Sequence, residues 1–450
     1  MTPLLSVTMT RATMFAIGLL LNAVALPVHA ATITVTNTND SGPGSLRQAL
    51  TIANDGDTIG FAVTGTISLT SGELVIDKNI IISGPGPGLL TVARSQQAAD
   101  FRIFNIPPSH TAEIDGLTIT GGSLVGNGGG ISSGATLTIS NCAISGNSIL
   151  TTDGLQHSGA GIYNVGTMTI VNSTVNNNQA LIGGFFPPSG GGISSDVGTL
   201  TIQNTTISEN TAAGYGGGVY NVGSLTAINS TIRGNTASSG GGIMTNTFII
   251  ATNCTISGNR ASFEGGGIFG GGTISNCTIS GNMTTVGHSR GGGISGSGTI
   301  TNSTFSDNLS VNGSSICATG TVQLGNTILN SGASIFLLGG TVTSHGYNLT
   351  SDNGGGFLNG PGDQINTDPL LGPLQDNGGP TLTHALLPGS PAIDTGDPNF
   401  TPPPTYDQRG NPFVRVFGGR IDIGSFEVQR IPRATPTPRP RPTPRQLHLL

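Results

Sequence analysis

Side chains able to do chemistry are sparse: charged residues make up 8% of the 450-residue chain. Between residues 116 and 330 the acids are Asp153, Asp196, Glu209, Glu264 and Asp307, and the bases are Arg233, Arg260 and Arg290 besides two histidines. Hydrolysis of a glycosidic bond needs two carboxylates roughly 5–9.5 Å apart across the bond. Glu209 and Asp307 occupy the same place in an internal repeat but lie four repeats apart, and the nearest equivalents of Glu209 are Asn177 and Gly234. Most remaining acids crowd into 363–427 among Arg409, Arg415 and Arg420, where surface pairing and turn-making account for them. Asp394 and Asp397 are a weak candidate for calcium there. The histidines form no metal-ligand spacing, and no glycine cluster leads from a strand into a helix as a phosphate loop requires. The chain is therefore expected to need no cofactor and to catalyse no reaction.

The cysteines carry little more. Cys142 and Cys254 share a repeat position four repeats apart, too far to bridge. Cys254 and Cys277 stand on adjacent repeats, where a disulfide is geometrically open in an exported chain. Ser173, Thr205, Ser230 and Ser303 fill the same slot, which favours small stacked side chains and hence free thiols.

The elements that must position these residues come from a repeat. The phrase "SNCTISGN" (275–282) recurs as "SNCAISGN" (140–147) and "TNCTISGN" (252–259). Its first Asn recurs at 141, 172, 204, 229, 253, 276, 302 and 326, with an apolar residue three places on, and a second Asn six places on in all but the last. Glycine clusters such as "GGGI" (128–131, 190–193, 265–268, 291–294) lie between. Apolar residues alternate at period two, as in Leu137/Ile139, and helical spacing is absent. Three short β runs in each ~24-residue period predict an all-β fold: a right-handed parallel β-helix, a solenoid with three strands per coil and coils about 4.8 Å apart. Asn at a tight corner tolerates left-handed dihedrals, and stacked amides can form a ladder. The phrase thus reads as scaffold. The N-x-S/T sequons it creates are by-products, with glycosylation not expected.

The ends differ from the body. Residues 1–30 read as a secretory signal peptide, with Arg11, an apolar run and the small-x-small site Val28-His29-Ala30, cleaved near Ala30. No stretch is long and apolar enough for a transmembrane segment, and the mildly acidic net charge of −6 suggests no nucleic acid partner. Residues 31–115 are expected to form an amino-terminal cap and the first coils, with Ser45 capping a short helix whose apolar face is Leu46, Ala49, Leu50 and Ala53. Residues 116–360 form the repeat body, 361–428 an irregular carboxyl-terminal cap, and 429–450 a Pro/Arg-rich tail read as a disordered spacer or a cationic contact. Caps at both ends favour a monomer.

Three stretches carry family resemblances. "TNDSGPGSLRQALTIANDGDTI" resembles the amino-terminal segment of bacterial surface β-helix proteins with a CSLREA signature, with Gly44 where that signature has Cys. "GGGI" with "FSDN" or "ISGN" is similar to the repeats of polymorphic outer-membrane proteins. "NTDPLLGPLQDNGGPTLTHALLPGSPAIDTGD" with "DQRGNPFVRVFGGRIDIGSFE" resembles the choice-of-anchor Q domain. These resemblances imply a secreted or cell-surface β-helix without established enzymatic activity: adhesin-like, glycan-contacting or structural, with a cell-surface glycan or protein as partner. The alternative is a pectate-lyase-like polysaccharide lyase or glycoside hydrolase. Asn366-Thr367-Asp368 matches a polygalacturonase motif by letter but lacks its Asp-Asp, Gly-His-Gly and Arg-x-Lys companions.

Two features point to binding. Most coils join the second Asn to the next glycines with four or five residues, but two consecutive coils use eleven, "SILTTDGLQHS" (148–158) and "QALIGGFFPPS" (179–189). These loops should protrude side by side, carrying Leu155, Leu181, Phe185 and Phe186 among other apolar residues. The residue after each inward Ile or Val should face out, which lines up Tyr163, Tyr220, Met244 and Phe269 as an aromatic stripe. Packing of the loops over the stripe is the competing reading of both.

Overall fold

The computed structural model describes residues 30–182 and 185–429. The segment expected to be a signal peptide (1–30) and the Pro/Arg-rich tail (429–450) thus lie almost wholly outside the described residues. The chain is a right-handed parallel β-helix, and its core is a stack of identical positions. Ile131, Ile162, Ile193, Val219, Ile243, Ile268, Ile294 and Ile316 pair one to the next along the stack, all buried. A second inward column runs Ile144, Val175, Ile207, Ile232, Ile256, Ile279, Phe305 and Leu329. Alternation puts these side chains inside and their neighbours outside, and β-branched residues suit the pleated, half-buried surface.

Each coil has three faces, but the β runs are shared among them differently from the sequence expectation. The runs after the glycine cluster (Ile131–Ser133, Ile162–Asn164) and the next ones (Thr136–Ser140, Thr167–Val171) belong to one 20-stranded sheet, and fuse into single strands such as Ile243–Thr252 in later coils. The runs Ala143–Ser145 and Thr174–Asn176 belong to a 12-stranded sheet. The third face is a seven-stranded sheet of short strands, including Ser148–Thr151 and Gln179–Ile182, over a thin layer of Ile149, Ala160, Ala180, Ala212 and Ala237.

Both asparagines of the repeat are placed by the corners, and they do different work. The first takes left-handed dihedrals at every coil, φ 48° at Asn141 and 55° at Asn253. Its side chains bond intermittently along an outer column, as Asn204 Nδ2 to Asn172 Oδ1 at 3.2 Å and Asn253 Nδ2 to Asn229 Oδ1 at 3.0 Å. The second Asn forms the continuous ladder, inside. From Asn147 through Asn178, Asn210, Asn235, Asn259 and Asn282 to Asn308, each Nδ2 donates to the next Oδ1 at 2.9–3.0 Å. Each Nδ2 also donates to a carbonyl of the preceding coil, as Asn210 does to Val175 O at 2.9 Å.

The amino-terminal helix Leu46–Ile52 forms as anticipated, with Ser45 Oγ accepting from Gln48 N at 3.2 Å and Leu46, Ala49 and Leu50 buried over the first coil. Arg47 fixes it by an ion pair to Asp40 at 2.7 Å and by donating to Gly72 O and Glu73 O. The far end departs from expectation. The last coils are closed by the short turn Gly354–Gly356 and buried Leu358. Residues 365–428 run back along the 12-stranded face instead. Thr255 Oγ1 donates to Leu382 O at 2.6 Å, Gln408 meets Thr255 and Thr278, Ser425 meets Thr304, and Asn326 donates to Asp422 O at 3.0 Å. What the sequence suggested as an end cap is a lateral cover over four coils, because this face exposes Ser and Thr hydroxyls that an irregular polar segment can pair with.

Inside that cover, Arg409 pairs with Asp407 at 2.6 Å and lies between the rings of Phe413 and Phe426, while Arg415 is fully buried near Asp407, Asp422 and Glu427. Burial pushes the Glu427 carboxyl up to about 8, although Phe417 N and Asp422 N donate to it.

Asn210→Ala should lower stability by about 2–4 kcal/mol, because donors and acceptors on both neighbouring coils lose buried partners, whereas Asn204→Gly on the outer column should change it by less than about 1 kcal/mol; denaturant melts compare the two. For Glu427, the folded state holds a proton that the unfolded chain releases above its ordinary value of 4.5. Its contribution is fully present below that pH and is lost as pH rises to about 8. Stability measured across this window should fall by at most about 1.4 kcal/mol per pH unit, and Glu427→Gln should flatten the slope.

Candidate functional site

The paired loops start as strand extensions. Ser148–Thr151 and Gln179–Ile182 pair in register, Leu150 beside Leu181 and Thr151 beside Ile182, and the loops rejoin the scaffold at the Ser158–Ser189 bridge. Leu155 is 61% exposed, Ile182 54%, Phe186 50% and Phe185 91%, with Leu150 and Leu181 exposed as well. The two phenylalanine rings meet edge to face, centroids 6.2 Å apart. These side chains leave much of their surface uncovered, while Ile149 and Ala180 at the bases of the same loops are buried. A polar brace holds the first: the Asp153 carboxylate accepts from Leu155 N at 3.1 Å and pairs with buried His157 at 2.9 Å. The His157 hydrogen bond keeps the Asp153 carboxyl below its ordinary range.

The stripe is aligned as the sequence places it but is less open. Tyr163, Ser194, Tyr220, Met244 and Phe269 are successive partners in one column. Tyr163, Tyr220, Met244 and Phe269 are all half-buried rather than exposed. The tyrosines lean onto the following coil: Tyr163 Oη donates to Asp196 Oδ2 at 2.9 Å, and Asn246 Nδ2 donates to Tyr220 Oη at 3.4 Å. Tyr215 stacks on Tyr220, centroids 6.4 Å apart.

Loop and stripe meet in a cleft of about 320 Å³ lined by Asn127, Gln156, Ser158, Tyr163, Asp196, Tyr220 and Val222. At its floor Asp196 accepts from Tyr163 and from Ser194 Oγ at 2.8 Å. Burial and the Asp196 charge both raise the Tyr163 phenol above its ordinary value. Asp196, Gln156 and Tyr215 were not singled out by sequence reasoning. The signal for Asp196 was present: it is an acid two places past the outward slot, where the coils on either side have Val165 and Val222.

Other candidates are not assembled. Glu209 and Asp307 share a left-handed corner column, φ 56° each, with the glycines Gly234, Gly258 and Gly281 between them. At about 4.8 Å per coil this puts them about 19 Å apart, beyond glycosidase reach. Asp394 N donates to Asp422 Oδ1 and Asp397 Oδ1 accepts from Asn399 N. Among the described residues no group of three or more His, Cys, Asp or Glu is gathered to hold a metal, so the Asp394/Asp397 calcium candidate lacks a third ligand of that kind. All four cysteines are free and buried, and burial pushes the Cys142 thiol up to about 12. Cys277 Sγ accepts from Cys254 N at 3.3 Å, the stacked arrangement the small slot suggested.

No protein-family model and no curated protein sequence matches the chain. Among solved structures it is similar to the crystal structure of pectate lyase Pel9A, at 14% identity and a TM-score of 0.47, over 89% of this chain and 96% of that one. No described helix is long and apolar enough to cross a membrane.

Because Asp153 alone ties Leu155 to His157, Asp153→Ala should speed amide exchange across 152–156 while global stability stays within about 0.5 kcal/mol. Hydrogen-exchange mass spectrometry beside a thermal melt checks both.

Proposed function

We propose that this protein is a secreted or cell-surface β-helix that acts by binding, and that the ridge formed by loops 148–158 and 179–189 is the contact. The observation that carries this reading is the exposure of Leu155, Ile182, Phe185 and Phe186 on two loops whose opening strands pair with one another. Exposed apolar side chains gathered on two paired loops cost solubility and add nothing to the core, so a partner's surface is their natural complement. The choice-of-anchor Q resemblance of 366–427, the CSLREA-like segment and the signal peptide support an exported setting. Catalysis is not part of the proposal: the repeat-column carboxylates Glu209 and Asp307 are too far apart to act together.

The test is cell and glycan binding by the mature chain. Phe185→Ser/Phe186→Ser, with 148–158 shortened to five residues, should weaken binding at least tenfold at unchanged melting temperature. Binding that survives while the melting temperature falls would make the loops mere packing, and release of unsaturated uronides or reducing ends from polysaccharides would replace the proposal by a catalytic one.

A further inference from the structure

Resting on the binding reading above, we infer that the cleft between Tyr163 and Tyr220 takes a single pyranose unit of a glycan that carries no acidic group. Register supplies the shape. Tyr163 and Tyr220 are separated in their column by Ser194 alone, so two aromatic side chains two coil steps apart, about 9.6 Å, flank a small residue. The notch has room for one ring-sized ligand, in the 320 Å³ cleft. Tyrosine faces offer the apolar surface on which the C–H face of a sugar packs, with a polar tip beside it. Tyr215 backs Tyr220 and fixes its plane.

Charge supplies the selectivity. Both Asp196 oxygens are held by neutral hydroxyls, those of Tyr163 and Ser194, and among the described residues no basic side chain forms an ion pair with it. A carboxylate has about four acceptor positions, so positions remain for a sugar hydroxyl or amine. The negative charge also reaches Tyr220, raising its phenol in company with burial. Gln156 and Asn127 add amides to the lining, Asn127 Oδ1 already accepting from Ser158 N at 2.8 Å. A uronate or sialate would bring a second negative charge into a cleft with no cation to meet it, which is unfavourable at close range.

Titration calorimetry of the full mature chain with cello-, manno- and chito-oligosaccharides, chitosan oligomers and oligogalacturonides tests the inference. Neutral or amino oligosaccharides should bind, and oligogalacturonides should bind at least tenfold more weakly. Tyr220→Ala should cost at least tenfold in affinity, and the isosteric Asp196→Asn should narrow the gap between neutral and acidic ligands; tighter chitosan binding would identify an amine as the group on Asp196. Oligogalacturonides binding as well as neutral sugars, no saccharide binding, or Tyr220→Ala and Asp196→Asn both within twofold of the unaltered chain would overturn it. The surface-binding reading fails separately, through the Phe185/Phe186 variant, so cell binding that needs the ridge but not the cleft would leave that reading standing and this one refuted.

Discussion

From Asn147 to Asn308 each coil is tied to the next through one buried amide. In the inner ladder a single Asn side chain satisfies its neighbour's side chain, its neighbour's backbone N–H and a carbonyl one coil back, as Asn210 does between Asn178 and Asn235. A buried amide left unpaired costs more than a paired one contributes, so the ladder fixes both the rise per coil and the place where each coil must turn. The inward Ile columns then stack without stagger, which explains why the core can be built from so few residue types. It also explains how a chain with 8% charged residues stays ordered: coil-to-coil hydrogen bonds and apolar columns supply what surface ion pairs do not.

A register this strict leaves the faces unequal. The 12-stranded face is rich in hydroxyls, and from Asn253 onward it is covered by 365–428 through side chain to backbone bonds that reach across 96 to 130 residues. That cover has a consequence for the outer Asn column. Asn276, Asn302 and Asn326 are buried beneath it, Asn302 accepting from Arg415 Nη2 at 3.3 Å, while Asn172 and Asn204 stay exposed. One repeated letter thus has two environments, decided by a segment outside the repeat.

This marks what was legible in the sequence. The period, the inward Ile columns, the αL Asn corners and the Ser45-capped helix were readable because each is local or strictly repeated. The seven-stranded face was missed because its strands, such as Thr211–Ala212, are short and carry Ala, Thr and Gln rather than a run of β formers. The path of 365–428 was misjudged because nothing repetitive ties it to the coils it covers. For the site, the loop pairing and the alignment of Tyr163 with Tyr220 could be counted from spacing, but their half-burial could not: each tyrosine tips toward a partner, Asp196 or Asn246, that only the stacking of coils brings near.

The same constraint determines where a site can be added at all. An insertion inside the stacked strand runs or either Asn column would disrupt that coil's pairing unless a local bulge absorbs it, as between Met244 and Phe248, since a one-residue slip exchanges core and solvent faces. The corner between the seven-stranded sheet and the glycine cluster is different. Its residues lie after the inner Asn and before the next coil-fixing glycines, and lengthening a loop there costs only slowly with its size. Both long loops use that corner, on consecutive coils, and return to the scaffold through the same Ser158–Ser189 bridge. The column that holds Tyr163 and Tyr220 runs immediately past this corner, one residue beyond Ile162 and Val219. Loop ridge and tyrosine cleft are neighbours because the ladder permits growth at that edge, and the outward slot beside it can vary without disturbing the core.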